Sequence, residues 1–289
     1  MMQKRNLWAV LAAVLLMVLA TNGAMADEDV FTSGDYQYCI LEDGTAEITN
    51  YFGRDSVVSI PETLDGKTVT SIGDSAFSGR SSLTTIELPD SVTSIGDRAF
   101  RGCSALTSIE LPDSVTSIGE SAFSGCRALT NIKLPDSVTS MGVNPFAGCG
   151  RLKNIQVSPE QPVFTVIDGV LFNREEKSLI CYPAGKQEEA YEVPQGIQQI
   201  KSEAFYGCSA LTSIELPDSV TSIGKYAFYD CSALTSIELP DGVTSIGDEA
   251  FGGCSNLTIT VQRDSYAAQY AKDNNLKYTY PDANDWLNN

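Results

Sequence analysis

The nucleophilic side chains with a regular spacing in this sequence are six cysteines. Cys103, Cys126 and Cys149 follow one another at intervals of 23, and Cys208, Cys231 and Cys254 do the same. Thiols invite disulfide formation, metal ligation or nucleophilic catalysis. If successive copies stack, neighbouring Cα atoms come to about 5 Å, within disulfide range, but side chains leaving the backbone in parallel fit the required torsion badly. A ladder of buried thiols acting as small apolar groups fits the pattern better. Cys39 and Cys181 stand outside the column and would bridge only if the fold brings them together. Zinc is disfavoured, since the chain has no CxxC pair and no histidine.

The missing histidine removes more than a metal ligand. It excludes Ser-His-Asp and Cys-His nucleophile systems and the usual general base near neutral pH. No GxGxxG, GxxxxGK[ST] or HExxH string occurs. Paired carboxylates remain, but the acids of the repeats come in copies, whereas a catalytic pair needs two differently tuned groups. The expectation is a protein with no catalytic residues, no cofactor and no metal.

The elements that hold these residues are set by repetition. The string CSALTSIELPDSVTSIG at 103–119 returns unchanged at 208–224, and again at 231–247 with Gly242 in place of a serine. Phenylalanine recurs at 77, 100, 123, 146, 205, 228 and 251, and leucine at 83, 106, 129, 152, 211, 234 and 257. The interval of 59 from Phe146 to Phe205 is one unit of 23 plus 36 more. A period in the twenties with a leucine column predicts a repeat solenoid. Within a unit, the alternation in LTSIEL points Ile109 and Leu111 inward and Ser108 and Glu110 outward, as in a strand with one buried face. Proline then ends the ladder, VTSIG forms a second short strand, and the Ala-Phe segment turns the chain back with Ala122 and Phe123 inside. No turn buries these groups alone, so turns stack about 4.8 Å apart.

The ends and the charge bound the setting. Lys4 and Arg5, the apolar run 7–20 and Ala24-Met25-Ala26 have the parts of a secretory signal peptide, with cleavage expected after residue 26. Cleavage removes two basic residues, leaving 17 Lys+Arg against 37 Asp+Glu, a net charge of −20. That field repels nucleic acid and anionic lipid and favours basic partners. No later run is long and apolar enough for a membrane span, and no LPxTG string follows residue 262. A soluble or loosely surface-held monomer outside the cell is expected.

The pattern LTSIELPDSVTSIGDxAFxGCSxL resembles the BspA-type leucine-rich repeat of bacterial and protist surface proteins, over residues from about 57 to 261. DGTAEITNYFGRDSVVSIPETLDGKTVTSIG at 43–73 resembles the family's β-rich beginning, and IDGVLFNREEKSLICYPAGK at 167–186 its longer irregular unit. The resemblance implies a leucine-rich-repeat solenoid of short parallel strands, extracellular and used for adhesion or binding. The expected organisation is a leader at 1–26, a β-rich cap at 27–66, a solenoid at 67–261 with an irregular unit at about 158–194, and a cap at 262–289. In the last, Ser265 is the expected N-cap of a short helix with Tyr266 and Tyr270 one turn apart.

Candidate contact residues lie in the outward columns. One reads Thr85, Ser108, Asn131, Asn154, Ser213 and Ser236, and the next Glu87, Glu110, Lys133, Gln156, Glu215 and Glu238. Stacked like charges about 5 Å apart repel by on the order of 1 kcal/mol in water, so the column must be solvated, neutralised by cations or covered by a basic partner. Near-identical turns carry little specificity, so a unique contact surface is expected at 151–190, where Arg151, Lys153, Arg174 and Lys177 bring in positive charge. Tyr206, Tyr226 and Tyr229 offer a strip for sugar stacking or for packing at the edge. The reading is a non-enzymatic binding or adhesion module for an extracellular or host surface protein. A self-associating scaffold is the alternative, followed by a carbohydrate-binding or carbohydrate-active protein.

Overall fold

The first strands of the chain turn back on one another before any repeat begins. In the computed structural model, which describes residues 29–281, β1 (Val30–Ser33), β2 (Tyr36–Ile40) and β3 (Ala46–Tyr51) form an antiparallel meander. The expected leader lies outside the described residues, as do residues 282–289. β3 then pairs in parallel with β6 (Lys67–Ile72), and β5 (Thr63–Leu64) folds against β6 in antiparallel fashion. The meander thus hands its register directly to the stacked turns.

Two rows of short parallel strands follow. The VTSIG segments continue from β6 into β8 (Ser94–Ile95), β10 (Ser117–Ile118) and β12 (Ser140–Met141). After the irregular unit the same row resumes as β18 (Gln199–Ile200), β20 (Ser222–Ile223) and β22 (Ser245–Ile246). The LTSIEL segments form the second row. It comprises β4 (Val57–Ser59), β7 (Thr85–Glu87), β9 (Ser108–Ile109), β11 (Asn131–Lys133), β13 (Asn154–Gln156), β17 (Ala190–Glu192), β19 (Ser213–Glu215), β21 (Ser236–Glu238) and β23 (Thr258–Thr260). Partners are 22 or 23 residues apart in nearly every pair, so each turn sits on its own copy.

The interior is a set of columns. Phe77, Phe100 and Phe123 stack at 5.3 Å between centroids, Phe146 adds a ring at 5.8 Å, and Tyr51 begins the column at 5.1 Å from Phe77. Beyond the irregular unit the rings are Tyr182, Phe205, Phe228 and Phe251, spaced 5.0–5.3 Å apart. The 59-residue interval therefore divides as 36 residues to Tyr182 and 23 to Phe205. Beside the rings the cysteines form the expected ladder of free, buried thiols. Each donates to the carbonyl of the aromatic residue 26 positions earlier, as in Cys103 Sγ to Phe77 O at 3.1 Å and Cys254 Sγ to Phe228 O at 3.0 Å. Cys39, in β2, and Cys181, in the irregular unit, are buried as well, and no disulfide joins them.

The irregular unit is a partition. Its strands β14 (Phe164–Ile167), β15 (Val170–Asn173) and β16 (Ser178–Cys181) make an antiparallel meander, and β16 then pairs in parallel with β18. The alternation of β15 puts Leu171 into the core of the preceding turns and Val170 and Phe172 into that of the following ones. All four residues of β16 are buried. Within the segment expected to be a contact surface, β15 and β16 are thus core, while residues on either side of them reach solvent.

At the far end, α1 (Tyr266–Asp273) closes the stack, with Ser265 Oγ accepting from Ala268 N at 3.1 Å as the expected N-cap. Ala267, Ala268 and Ala271 are its buried residues. Of the two tyrosines, Tyr266 is 47% exposed and Tyr270 meets the edge of Phe251. The chain then adds β24 (Lys277–Thr279), parallel to β23, which covers the last edge of the second row.

Two positions in the turns test this account. A Cβ on Gly119 would lie 2.5 Å from Asp97 N and Gly96 C of the turn below, so Gly119→Ala should lower stability by about 1–3 kcal/mol. Serines at 91, 114, 137 and 219 donate to carbonyls 22 residues earlier at 2.5–2.7 Å, whereas Gly242 leaves Val220 O, 3.6 Å from its would-be Cβ, without that donor. Gly242→Ser should therefore stabilise by about 1 kcal/mol. Urea denaturation of both variants checks the pair.

Candidate functional site

The second row carries the outward columns, and its register places them side by side. Asn131 lies opposite Asn154 and Lys133 opposite Gln156, while Ser213 lies opposite Ser236. Ser108 lies opposite Thr85. Glu110, Lys133, Gln156, Glu215 and Glu238 are all exposed, as are Ser108, Asn131 and Ser236, whereas Asn154 and Ser213 are half-buried. The inward members between them, Ile109, Ile132, Ile155, Ile214 and Ile237, are buried.

The row is not continuous. β9 and β11 fall in separate sheets, as do β13 and β17. Ser108 and Glu110 join Thr85 and Glu87 in a shallow groove of about 290 Å³ at the first break. After the second break the register sets Glu192 against Glu215, and Glu238 follows on the next strand. Glu192 escaped the sequence columns because the irregular unit lacks LTSIEL. The string Tyr191-Glu192-Val193-Pro194, aligned 23 residues before Ile214-Glu215-Leu216-Pro217, was the signal that could have found it. The ion pairs among the described residues are Arg98–Glu120, Lys186–Glu188 and Lys201–Glu176, so none involves the acids of this row.

The four basic residues at the irregular unit are divided rather than clustered. Lys153 and Asn154 meet the tight turn at Asp168-Gly169, and Arg151 lies against Gly185. Arg174 is at the opposite end of the hairpin, donating from Nε to Phe164 O at 3.1 Å, and Lys177 occupies the next turn with φ of 50°. Four residues of strand separate the two ends, or roughly 13 Å. Lys186 joins the first group, its Nζ 2.6 Å from Asp168 O. Tyr206 and Tyr229 stack at 5.4 Å with Tyr226 edge-on to Tyr229, so the tyrosine strip exists, on the side of the Ala-Phe turns.

Nothing in this arrangement pairs a nucleophile with a base. Burial pushes the Cys103 thiol up to about 11 and Cys149 up to about 12, and it raises Cys126 and Cys181 strongly as well. Thiols held protonated and away from solvent are structural. Among the described residues no group of three or more Cys, Asp or Glu side chains is placed to hold a metal ion, and no helix is long and apolar enough to cross a membrane.

Stacked short strands with leucine, phenylalanine and thiol columns define a leucine-rich-repeat β-solenoid. Residues 48–177 and 184–275 match the BspA type leucine rich repeat region in six copies, and the chain belongs to that family. Among solved structures, a leucine-rich repeat protein from Eubacterium ventriosum is 24% identical with a TM-score of 0.62, over 83% of this chain and 73% of that one. The pneumococcal vaccine antigen PcpA is 25% identical with a TM-score of 0.53, over 81% of this chain and 82% of that one. No curated protein matches.

The thiol ladder has a solution signature. An unfolded thiol ionises near 9, whereas folded Cys103 and Cys149 keep their protons to about 11 and 12. Their contribution to stability is complete below about pH 9 and is lost as pH rises through that window, because the unfolded chain releases protons that the folded chain retains. The urea midpoint should fall from about pH 9 upward. Ellman's reagent at neutral pH should label none of the eight cysteines before denaturation and all eight after it.

Proposed function

We propose that the protein is an exported, non-enzymatic bacterial binding module whose second strand row holds a basic extracellular protein. The observation that carries this reading is the acidic column of that row. Glu192, Glu215 and Glu238 stand on adjacent strands and form no ion pair among the described residues, and Glu87 and Glu110 do the same on the other side of Lys133. Stacking like charges at strand spacing stores repulsion that a cationic surface relieves, and the low-dielectric contact strengthens the attraction. Lys133 and Gln156 interrupt the column at its middle, which gives a partner a register to recognise. Family membership supports the same reading, as does the likeness to PcpA, a pneumococcal vaccine antigen.

The partner is tested directly by binding. The chain from residue 27 onward, screened against extracellular-matrix proteins, should bind a basic member of the panel, with affinity falling as salt rises from low to physiological strength. Replacing Glu215 and Glu238 together by glutamine should weaken binding about tenfold and flatten the salt dependence. Binding that ignores both changes, or no binding at either salt, would overturn the reading. Concentration-dependent mass in light scattering would favour self-association instead.

A further inference from the structure

The side of the molecule built from the Ala-Phe turns carries a second, chemically different feature. Where the irregular unit shortens the turn at Tyr182, a groove of about 580 Å³ opens between the turns before it and those after it. Arg98, Arg101 and Arg127 line it from the preceding turns, Glu203 and Tyr206 from the following one. Arg98 reaches Glu120 at 3.4 Å, but Arg101 and Arg127 are exposed and form no ion pair among the described residues.

The floor is bare backbone. Gly102, Gly125 and Gly148 adopt left-handed φ values of 72°, 73° and 68°, which glycine takes without strain. The Gly102 and Gly125 amides donate to Ser124 O and Ala147 O of the next turn, both at 2.8 Å. Gly148 comes last before the shortened turn, and its N–H has no acceptor among the described residues. The Tyr206 ring lies over this point, 3.7 Å from where a Cβ on Gly148 would be, and its stacking on Tyr229 fixes its plane. Burial, with the Glu120 charge adding to it, raises the Glu203 carboxyl, against the opposing effect of Arg101 and Arg98.

We propose that this groove binds a carbohydrate bearing a single carboxylate, of the sialic or uronic acid class. Guanidinium forks match a carboxylate in two-point geometry. The free Gly148 amide supplies a further donor, and the side-chain-free floor lets a sugar ring lie close. Tyr206 offers its face to the ring's C–H bonds, while Glu120 and Glu203 accept from hydroxyls. The overall negative charge turns away polyanions but tolerates one acid group. An acidic peptide would satisfy the arginines yet set its own carbonyls and carboxylates against Glu120 and Glu203. The site is separate from the second strand row, so either reading can fail alone.

The test uses the chain from residue 27 onward with 3′-sialyllactose and methyl glucuronide as probes, lactose as the neutral control and a short Asp/Glu peptide as the competing class. Saturation-transfer NMR and titration calorimetry should show binding of an acidic sugar and not of lactose. Arg101→Ala, Arg127→Gln and Tyr206→Ala should each weaken it about tenfold, with folding confirmed by an unchanged denaturation midpoint. Glu238→Gln, on the second strand row, should leave sugar binding as it was. Equal binding of lactose, retained affinity in the folded variants, tighter binding of the peptide, or no binding of either acidic sugar would overturn the proposal.

Discussion

Every turn of this protein must fit onto a copy of itself at strand spacing, and the closest point of that fit is backbone on backbone at the Ile-Gly corner. Gly96, Gly119, Gly142, Gly224 and Gly247 all lie where a Cβ would collide with the chain of the turn below. The Asp74 and Asp97 carboxylates tie the same corners together by accepting from Asp97 N and Glu120 N at 2.8 and 2.7 Å. With the corner fixed, the neighbouring columns can only stack ring on ring, thiol on carbonyl and hydroxyl on carbonyl. A side chain that fits at one turn then fits at the next, which is why the sequence repeats almost letter for letter.

The irregular unit shows what happens when that constraint is lifted. Its turn is shorter by two residues before the aromatic position, so the column continues through Tyr182 while the corner that would have carried a glycine is missing. Above the shortened turn Lys201 takes the glycine position, and its backbone still donates to Leu179 O at 3.0 Å. The space beside it is a cavity of about 340 Å³ lined by Asn144 and Lys201. Asn144, buried and without the left-handed conformation of Arg98 and Ser121, spans the gap with Nδ2 to Glu203 O at 2.7 Å. One side-chain amide stands in for a turn-to-turn backbone bond.

Much of this was legible because the repeat is its own alignment. The phenylalanine, leucine and cysteine columns, the two strands per unit and the Ser265 cap all follow from period and residue type, and the structure places them so. What could not be read is what the period does not encode. β15 lies in the segment expected to be a contact surface, yet Val170, Leu171 and Phe172 are buried because two cores meet at it. The helix buries its alanines rather than Tyr266, since close approach to the last turn admits only small side chains. Arg101 and Arg127 sit at unlike positions of their repeats, so no column groups them, and only the turn geometry brings them to one groove.

The same division separates two kinds of recognition surface. Where register is unbroken, neighbouring turns present the same group, and a ligand senses a summed field rather than a particular residue, as on the acidic strand row. Where register breaks, donors that would have joined the next turn are released. The Gly148 amide is one of these, and it shares a groove with Arg101 of the preceding turns and with Glu203 and Tyr206 of the following one. Unlike groups meeting at one point are what selective binding of a small ligand requires. In a solenoid of near-identical turns, such a meeting arises at a defect in the stack, so the partition that interrupts the core is also the element that gives this molecule an address of its own.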